Sequence, residues 1–256
     1  MQQIAALPEQ RRARLVALLE ADGWSRASQL ATRLEVSVDT VRRDLDHLAA
    51  GGAVQRVRGG ALATGTAQRA VEPPPLAERL AEGDTSRERR ARAVAALLPA
   101  DGLVVLCGGA TRVRVARALG GPGPAVLTPS PPAALAAGGR CAEVRLTGGR
   151  LDARRGIVTG PEARMELERA SADVVVVAPC AFDGAAGVMM HDREEADLVR
   201  AAVGRARRVV ATVDASRLGV VATWAALDVD AVDVLVTDAD ADDPRLVGLR
   251  AEVVHA

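Results

Sequence analysis

Apolar residues recur at two different periods along this 256-residue chain, and the change between them divides it in two. From Pro8 to Ala21, Leu15, Leu18 and Leu19 share one helical face while Arg11, Arg12 and Arg14 take the other, and Gly23 follows as a stop. A second, shorter helix carries Ala27, Leu30, Ala31 and Leu34 as its apolar stripe, with Ser25 expected as its cap and Glu35-Val36 as the turn that follows. Ser37 then starts a third helix, where Asp39 complements the positive end of the dipole. Val41, Leu45 and Leu48 turn inward on this helix, which leaves Val38, Asp39, Arg42, Arg43 and Asp46 outside until Gly51-Gly52 ends it. Alternating segments, Ala53 to Val57 and Ala61 to Leu62, flank Arg58-Gly59-Gly60 as a small hairpin.

Thr64 to Pro75 has no periodic apolar face and holds Pro73, Pro74 and Pro75, so residues 63–75 read as a linker between residues 1–62 and residues 76–256. Beyond it the period changes. Glu78 to Leu98 is helical, and Leu103–Leu106, Ala125–Thr128, Glu143–Leu146, Asp173–Val177, Arg208–Val213 and Val232–Val236 read as strands. Thr111–Leu119, Pro161–Ala170 and Arg193–Val203 carry helical spacing between them. Continuous Val/Leu runs alternating with helices predict a Rossmann-like α/β domain with a mostly parallel sheet covered on both faces. Ligands of such sheets bind at the carboxyl ends of the strands.

Composition narrows the chemistry. The formal net charge is zero, so contact with nucleic acid must come from a local arrangement. Within residues 1–62, nine arginines face seven acids, a modest excess that favours two half-site contacts and hence a homo-oligomer, dimer or tetramer. All 33 basic residues are arginine, which rules out a Schiff-base or P-loop lysine. Cys107, Cys141 and Cys180 are odd in number and widely spaced, as expected of free thiols and not of a zinc cluster. No apolar run approaches the ~20 residues of a membrane span, and no secretory leader is seen, so a cytoplasmic protein without a membrane partner, cofactor or metal is expected.

Two constellations carry chemistry. A helix that starts with small polar groups and two adjacent arginines is shaped for the DNA major groove, where arginine donates a bidentate pair to guanine or binds phosphate. Val104-Val105-Leu106-Cys107-Gly108-Gly109-Ala110-Thr111 is a strand, a glycine turn and a helix start, so amide groups and the helix dipole meet any anion seated there. Leu146-Thr147-Gly148-Gly149-Arg150 and Thr159-Gly160-Pro161 repeat the device, while the Gly-x-Gly-x-x-Gly spacing of a dinucleotide site is missing. Trp24 and Trp224 read as packing residues.

The run Ser37, Thr40, Val41, Arg42, Arg43, Asp44, Leu45, preceded at family spacing by Arg11, Leu15 and Leu19, resembles the signature of DeoR-type winged helix-turn-helix regulators. The likeness continues through Pro75-Leu76-Ala77-Glu78-Arg79-Leu80, Gly108-Gly109-x-Thr111, Leu146-Thr147-Gly148-Gly149, Asp192-Arg193-Glu194-Glu195-Ala196, Asp214-Ala215-Ser216-Arg217-Leu218-Gly219 and Val236-Thr237-Asp238. It implies a winged helix-turn-helix domain that reads double-stranded operator DNA through Ser37, Val38, Asp39, Thr40, Arg42, Arg43, His47, Arg56 and Arg58, with Asp44 orienting an arginine. It also implies a sensor domain, related in fold to sugar-phosphate isomerases and CoA transferases, that binds a small phosphorylated metabolite through Cys107, Gly108, Gly109, Ala110, Thr111, Gly148, Gly149, Arg150, Cys180, Glu195 and Arg217. The function implied is repression of a carbohydrate operon, with no catalysis; the alternatives are a sugar-phosphate isomerase or transferase and a regulator with a degenerate sensor. Cys107 stands where the family has aspartate, Thr128-Pro129-Ser130 where it has Thr-Asn-Ser, Ala178-Pro179-Cys180 where it has Gly-Ala-Asp, and Arg217 where lysine is common.

Overall fold

A computed structural model describes residues 8–22, 24–57, 60–63, 68–70 and 72–256. The chain forms two compact units, Met1–Arg69 and Ala70–Ala256.

In the first unit, α1 (Pro8–Asp22), α2 (Ala27–Leu34) and α3 (Val38–Ala50) enclose Leu15, Leu19, Leu30, Val41 and Leu45, all fully buried. A three-stranded antiparallel sheet in the order β1 (Trp24–Arg26), β3 (Gly60–Ala63), β2 (Val54–Val57) closes the core. The sequence points to Ser25 as the cap of α2, but Ser25 is buried in β1 opposite Ala61. Arg26 occupies the cap position instead, its backbone N–H donating to Gln29 Oε1 at 3.2 Å. The wing packs back so closely that a Cβ on Gly60 would lie 2.2 Å from the Ser25 carbonyl oxygen. Glu35 turns the chain between α2 and α3 in the left-handed region, φ 54°. Arg58 and Gly59 lie outside the described residues.

Of the stretch expected as linker, Ala63 ends β3, residues 64–67 and 71 fall outside the described residues, and Gln68–Arg69 form the short strand β4. Ala70 onwards is laid against the second unit: its N–H donates to Val221 O at 2.8 Å, and Leu76 N–H donates to Arg154 O at 2.8 Å. The long helix expected over Glu78–Leu98 is two helices, α4 (Leu76–Ala81) and α5 (Thr85–Ala96), because Asp84 caps the second by accepting from Arg87 N–H.

Seven parallel strands form the central sheet of this unit: β5 (Leu103–Leu106), β6 (Ala125–Thr128), β7 (Val144–Leu146), β10 (Val174–Val177), β13 (Arg208–Val213), β16 (Val234–Thr237) and β17 (Glu252–His255). Their order is β17-β16-β13-β10-β5-β6-β7, so the chain winds outward from β5 in one direction and then from β10 in the other. The crevice between β5 and β10 is therefore the topological switch point, where open α/β sheets bind ligands. Valines stack on both faces of the sheet, Val105, Val175 and Val177 into one core and Val104, Val174 and Val176 into the other. Helices α6 (Ala110–Ala118), α7 (Pro131–Ala137), α8 (Pro161–Arg169) and α9 (Arg193–Val203) connect the strands. Two small antiparallel sheets, absent from the sequence reading, are added: β8 (Arg150–Asp152) with β9 (Ile157–Thr159), and β11 (Ala181–Asp183), β12 (Gly187–Met190) and β15 (Trp224–Leu227). Trp224 is no packing residue; it is 41% exposed, with the Arg193 guanidinium 5.8 Å from its ring centroid. The side chain of Trp24 lies outside the description.

Candidate functional site

The first unit presents one helix end. Ser37 Oγ accepts from the Thr40 N–H at 3.1 Å and lies 2.8 Å from Thr40 Oγ1, which fixes the start of α3. Arg42 and Arg43 are exposed on its outer face, with His47 further along. Arg42 reaches Asp39 at 3.2 Å in a surface pair of two solvated side chains, too weak to hold either away from a partner. Arg43 has no hydrogen bond or ion pair among the described residues. Val38 differs from expectation: it is half-buried and packs on the core beside Val41 and Leu45. Arg56 differs too, since its guanidinium is occupied within the fold, donating from Nε to Asp46 Oδ1 at 2.8 Å and from Nη1 to Gly60 O at 2.7 Å. It ties the wing to α3. Asp44 turns inward, and Arg11 Nε donates to Asp44 Oδ2 at 2.5 Å. That bond raises the Arg11 pKa and locks α1 to α3 beneath the exposed pair.

The second unit opens a cleft at its switch point. The loop after β5 contributes Gly109, Ala110, Thr111 and Arg112; the loop after β10 contributes Ala178 and Cys180. Thr212, Asp214 and Arg217 arrive from the end of β13, His191 and Glu195 from the start of α9, and Pro73, Arg79, Arg87 and Arg90 from the segment that enters the unit. Gly109 caps α6 at φ 97°, and no side chain caps the helix, so the first-turn amides are left for a ligand.

Six arginines line this cleft, and their partners divide them. Arg90, 2% exposed, bonds Asp214 at 3.0 Å and Asp238 at 2.9 Å. Arg87 pairs with Asp84 at 3.2 Å, and Arg155 with Asp192 at 3.1 Å and with Glu72 and Asp152 at 3.3 Å. Arg79 and Arg217 make only single bonds to carbonyls, Nε to Pro74 O at 3.0 Å and Nη1 to Pro179 O at 2.9 Å. Arg112 is 3% exposed and has no hydrogen-bond partner among the described residues, its Nε being buried and unsatisfied. Burial pulls the Arg112 pKa down to about 10, against the field of Glu195. Burial also raises Glu195, which Arg112 and Arg155 pull the other way. A buried cation without a partner is costly, and an arriving anion relieves it.

Of the residues the sequence proposed for ligand binding, Gly109, Ala110, Thr111, Cys180, Glu195 and Arg217 meet in the cleft. Cys107 lies in the core behind them, and burial drives its thiol up to about 12. A Cβ on Gly108 would come within 2.7 Å of Ile157 Cδ1, so this glycine serves packing. Gly148, Gly149 and Arg150 are not in the cleft. They build the β8–β9 hairpin: Gly148 N–H donates to Glu166, a Cβ on Gly149 would lie 2.4 Å from Thr159 O, and Arg150 bonds Glu194 at 2.5 Å. Arg79, Arg87, Arg90, Arg112 and Asp214 are among the lining residues that sequence reasoning did not assign to the ligand. Their signal is faint: a charge at an inward helical position, such as Arg90 beside buried Ala91 and Val94.

Residues 11–66 match the family model described as the DeoR-like helix-turn-helix domain, and residues 84–239 match that of the DeoR C terminal sensor domain. The chain is 32% identical over 239 residues to the HTH-type transcriptional regulator GlpR of Haloferax volcanii, covering 92% of each. It is 26% identical to a putative aga operon transcriptional repressor of Escherichia coli O157:H7, over 94% of this chain and 90% of the other, and 26% identical to the HTH-type transcriptional repressor GlcR of Bacillus subtilis, over 88% and 87%. Among the described residues no helix is long and apolar enough to cross a membrane.

Proposed function

Because the chain belongs to the DeoR family of DNA-binding transcriptional regulators, we propose that it represses an operon of carbohydrate metabolism and that a small phosphorylated metabolite in the cleft changes its hold on the operator. The division of labour follows the sequence: residues 1–62 read DNA, 63–75 connect, and 76–256 sense. At the operator, Ser37, Thr40, Arg42 and Arg43 lead α3 into the major groove, with Asp39 and His47 on the same exposed surface and Arg58 as a further contact to DNA. Val38 and Arg56 support this surface from behind. Near-balanced charge in the first 62 residues keeps each half-site weak, which supports a dimer or tetramer in a cytoplasmic setting.

The observation that carries the sensor reading is Arg112, a buried guanidinium with no hydrogen bond, at the uncapped start of α6. Gly109, Ala110 and Thr111 offer amides to a phosphoryl group, and Arg112 the opposing charge. Cys180, Glu195 and Arg217 face the rest of the ligand, while Gly148, Gly149 and Arg150 act at most through the neighbouring hairpin. Catalysis finds little support here. Most charged groups lining the cleft are guanidiniums, which do not exchange protons near neutral pH.

The signal has a short way out. Glu72 pairs with Arg155, Pro73 lines the cleft, and Pro74 O holds Arg79, so the segment entering the sensor unit is also a wall of its ligand site. A ligand that recruits Arg79 or Arg155 competes with those contacts and loosens the segment that leads back to the DNA-reading unit. Calorimetry with glucose 6-phosphate and inorganic phosphate tests the sensor half. A ligand at 100 times its dissociation constant stabilises the fold by about 2.7 kcal/mol, and Arg112→Met removes the effect. Absence of binding by every phosphate refutes the sensor reading.

A further inference from the structure

The arginines of the cleft are not equivalent, and their inequality bears on the ligand. Arg87, Arg90 and Arg155 are each neutralised by carboxylates of the protein itself. Arg79, Arg112 and Arg217 have no carboxylate within ion-pair distance among the described residues. Against these three cations the lining offers Glu195, since Asp214 is already held by Arg90. Three guanidiniums of the cleft, with Glu195 the lining carboxylate not already paired, are therefore left to answer a ligand.

These three cations stand at two places. Arg112 stands at the start of α6, where helix amides and a guanidinium together accommodate one phosphoryl group. Arg79 comes from α4 and Arg217 from the loop after β13, and each spends a single N–H on a carbonyl, leaving the rest of its fork open. Arg79 and Arg217 line the same cleft, and burial, with the field of Arg217 added, lowers the Arg79 pKa. A sugar hydroxyl answers such a pair poorly. It brings no charge, whereas a carboxylate accepts from both forks, and charge-assisted bonds are about twice as strong as neutral ones.

We infer that the effector carries two anionic groups, a phosphoryl group received by Arg112 and the α6 amides and a carboxylate received by Arg79 and Arg217, so that its class is a phosphorylated sugar acid. The inference rests on the phosphorylated-metabolite reading above and narrows it. It assigns Arg79 and Arg217 as specificity residues and Arg112 as the general phosphate anchor.

Titration calorimetry on the full-length chain tests this with two matched pairs, 6-phosphogluconate against glucose 6-phosphate and 3-phosphoglycerate against glycerol 3-phosphate. In at least one pair the acid binds at least tenfold more tightly than its neutral-ended counterpart. Arg217→Met, checked by circular dichroism, reduces that preference to less than threefold; Arg79→Met does the same by a second route. Arg112→Met weakens both members of a pair alike. Equal or weaker binding of the acid in both pairs overturns the inference while leaving phosphate recognition intact. If none of the four ligands nor inorganic phosphate binds, the underlying sensor reading fails and this one with it.

Discussion

Charged side chains decide the behaviour of this protein at positions where apolar periodicity is silent. Asp44 is the clearest case: part of an Arg-Arg-Asp run, it faces away from its neighbours and bonds Arg11, with 9% of its side chain exposed. Removing Asp44 takes away the charge-assisted bond that ties α1 to α3, a loss of about 1.5–3 kcal/mol. Asp44→Ala is therefore expected to lower the urea midpoint of the DNA-reading unit substantially, whereas Arg42→Ala leaves it unchanged within error. Asp214 makes a pH-dependent contribution. Burial alone would raise its pKa, but bonds from Ser216 and the Arg90 guanidinium overcome this and hold it down at about 2. A carboxylate depressed in the folded state stabilises above its ordinary value near 3.8 and loses that contribution as pH falls toward 2. Discounted for partial exposure, the gain at neutral pH is about 1–2 kcal/mol. Urea midpoints of wild type and Asp214→Asn should differ at pH 7 and converge near pH 2. The Arg-Arg pair and the inward Asp44 were legible from the motif. Arg90 and Arg112 were not, because hydrophobic spacing treats an arginine as surface whether or not a carboxylate or a ligand site receives it.

At the level of elements, glycine turns and helix starts set what the cleft can hold. Gly109 is left-handed at φ 97°, and a Cβ there would come within 2.5 Å of Arg112 Nη2. Gly109→Ala combines backbone strain of about 1–2 kcal/mol with displacement of the phosphate anchor, so phosphate binding should weaken at least tenfold with the far-ultraviolet spectrum preserved. Unchanged affinity would show that the start of α6 is not where the anion sits. Each of the six runs read as strands forms a strand of the large sheet, and five of them, all but β7 at its edge, are buried on both faces, where continuous apolar runs are needed. The seventh, Glu252–His255, is an edge strand with polar residues at both ends and lacks that run. The β8–β9 and β11–β12–β15 sheets were missed for a related reason, their strands being three or four residues long and antiparallel. Reading Gly148-Gly149 as a ligand loop did not foresee β8–β9, because the same Gly-Gly that frees amides for an anion also lets a hairpin approach a neighbouring strand.

In the whole molecule, the segment that enters the second unit also lines its cleft, which is where the proposed signal would start. Glu72, in that segment, grips the second unit through an ion pair with Arg155. Glu72→Gln is expected to leave ligand affinity within about threefold and to reduce the change in DNA affinity that ligand produces, as anisotropy titrations with and without effector would read. Loss of ligand binding instead would make Glu72 part of the site and not of its output. The central claim, that the start of α3 reads a specific operator, is tested most directly by selection of random-sequence duplexes on the full-length chain. Wild type should enrich one motif, with retention falling steeply as salt rises, and Arg42→Ala/Arg43→Ala should enrich none while keeping its circular dichroism spectrum. The same motif recovered by the double variant, or no motif recovered by wild type, would contradict it.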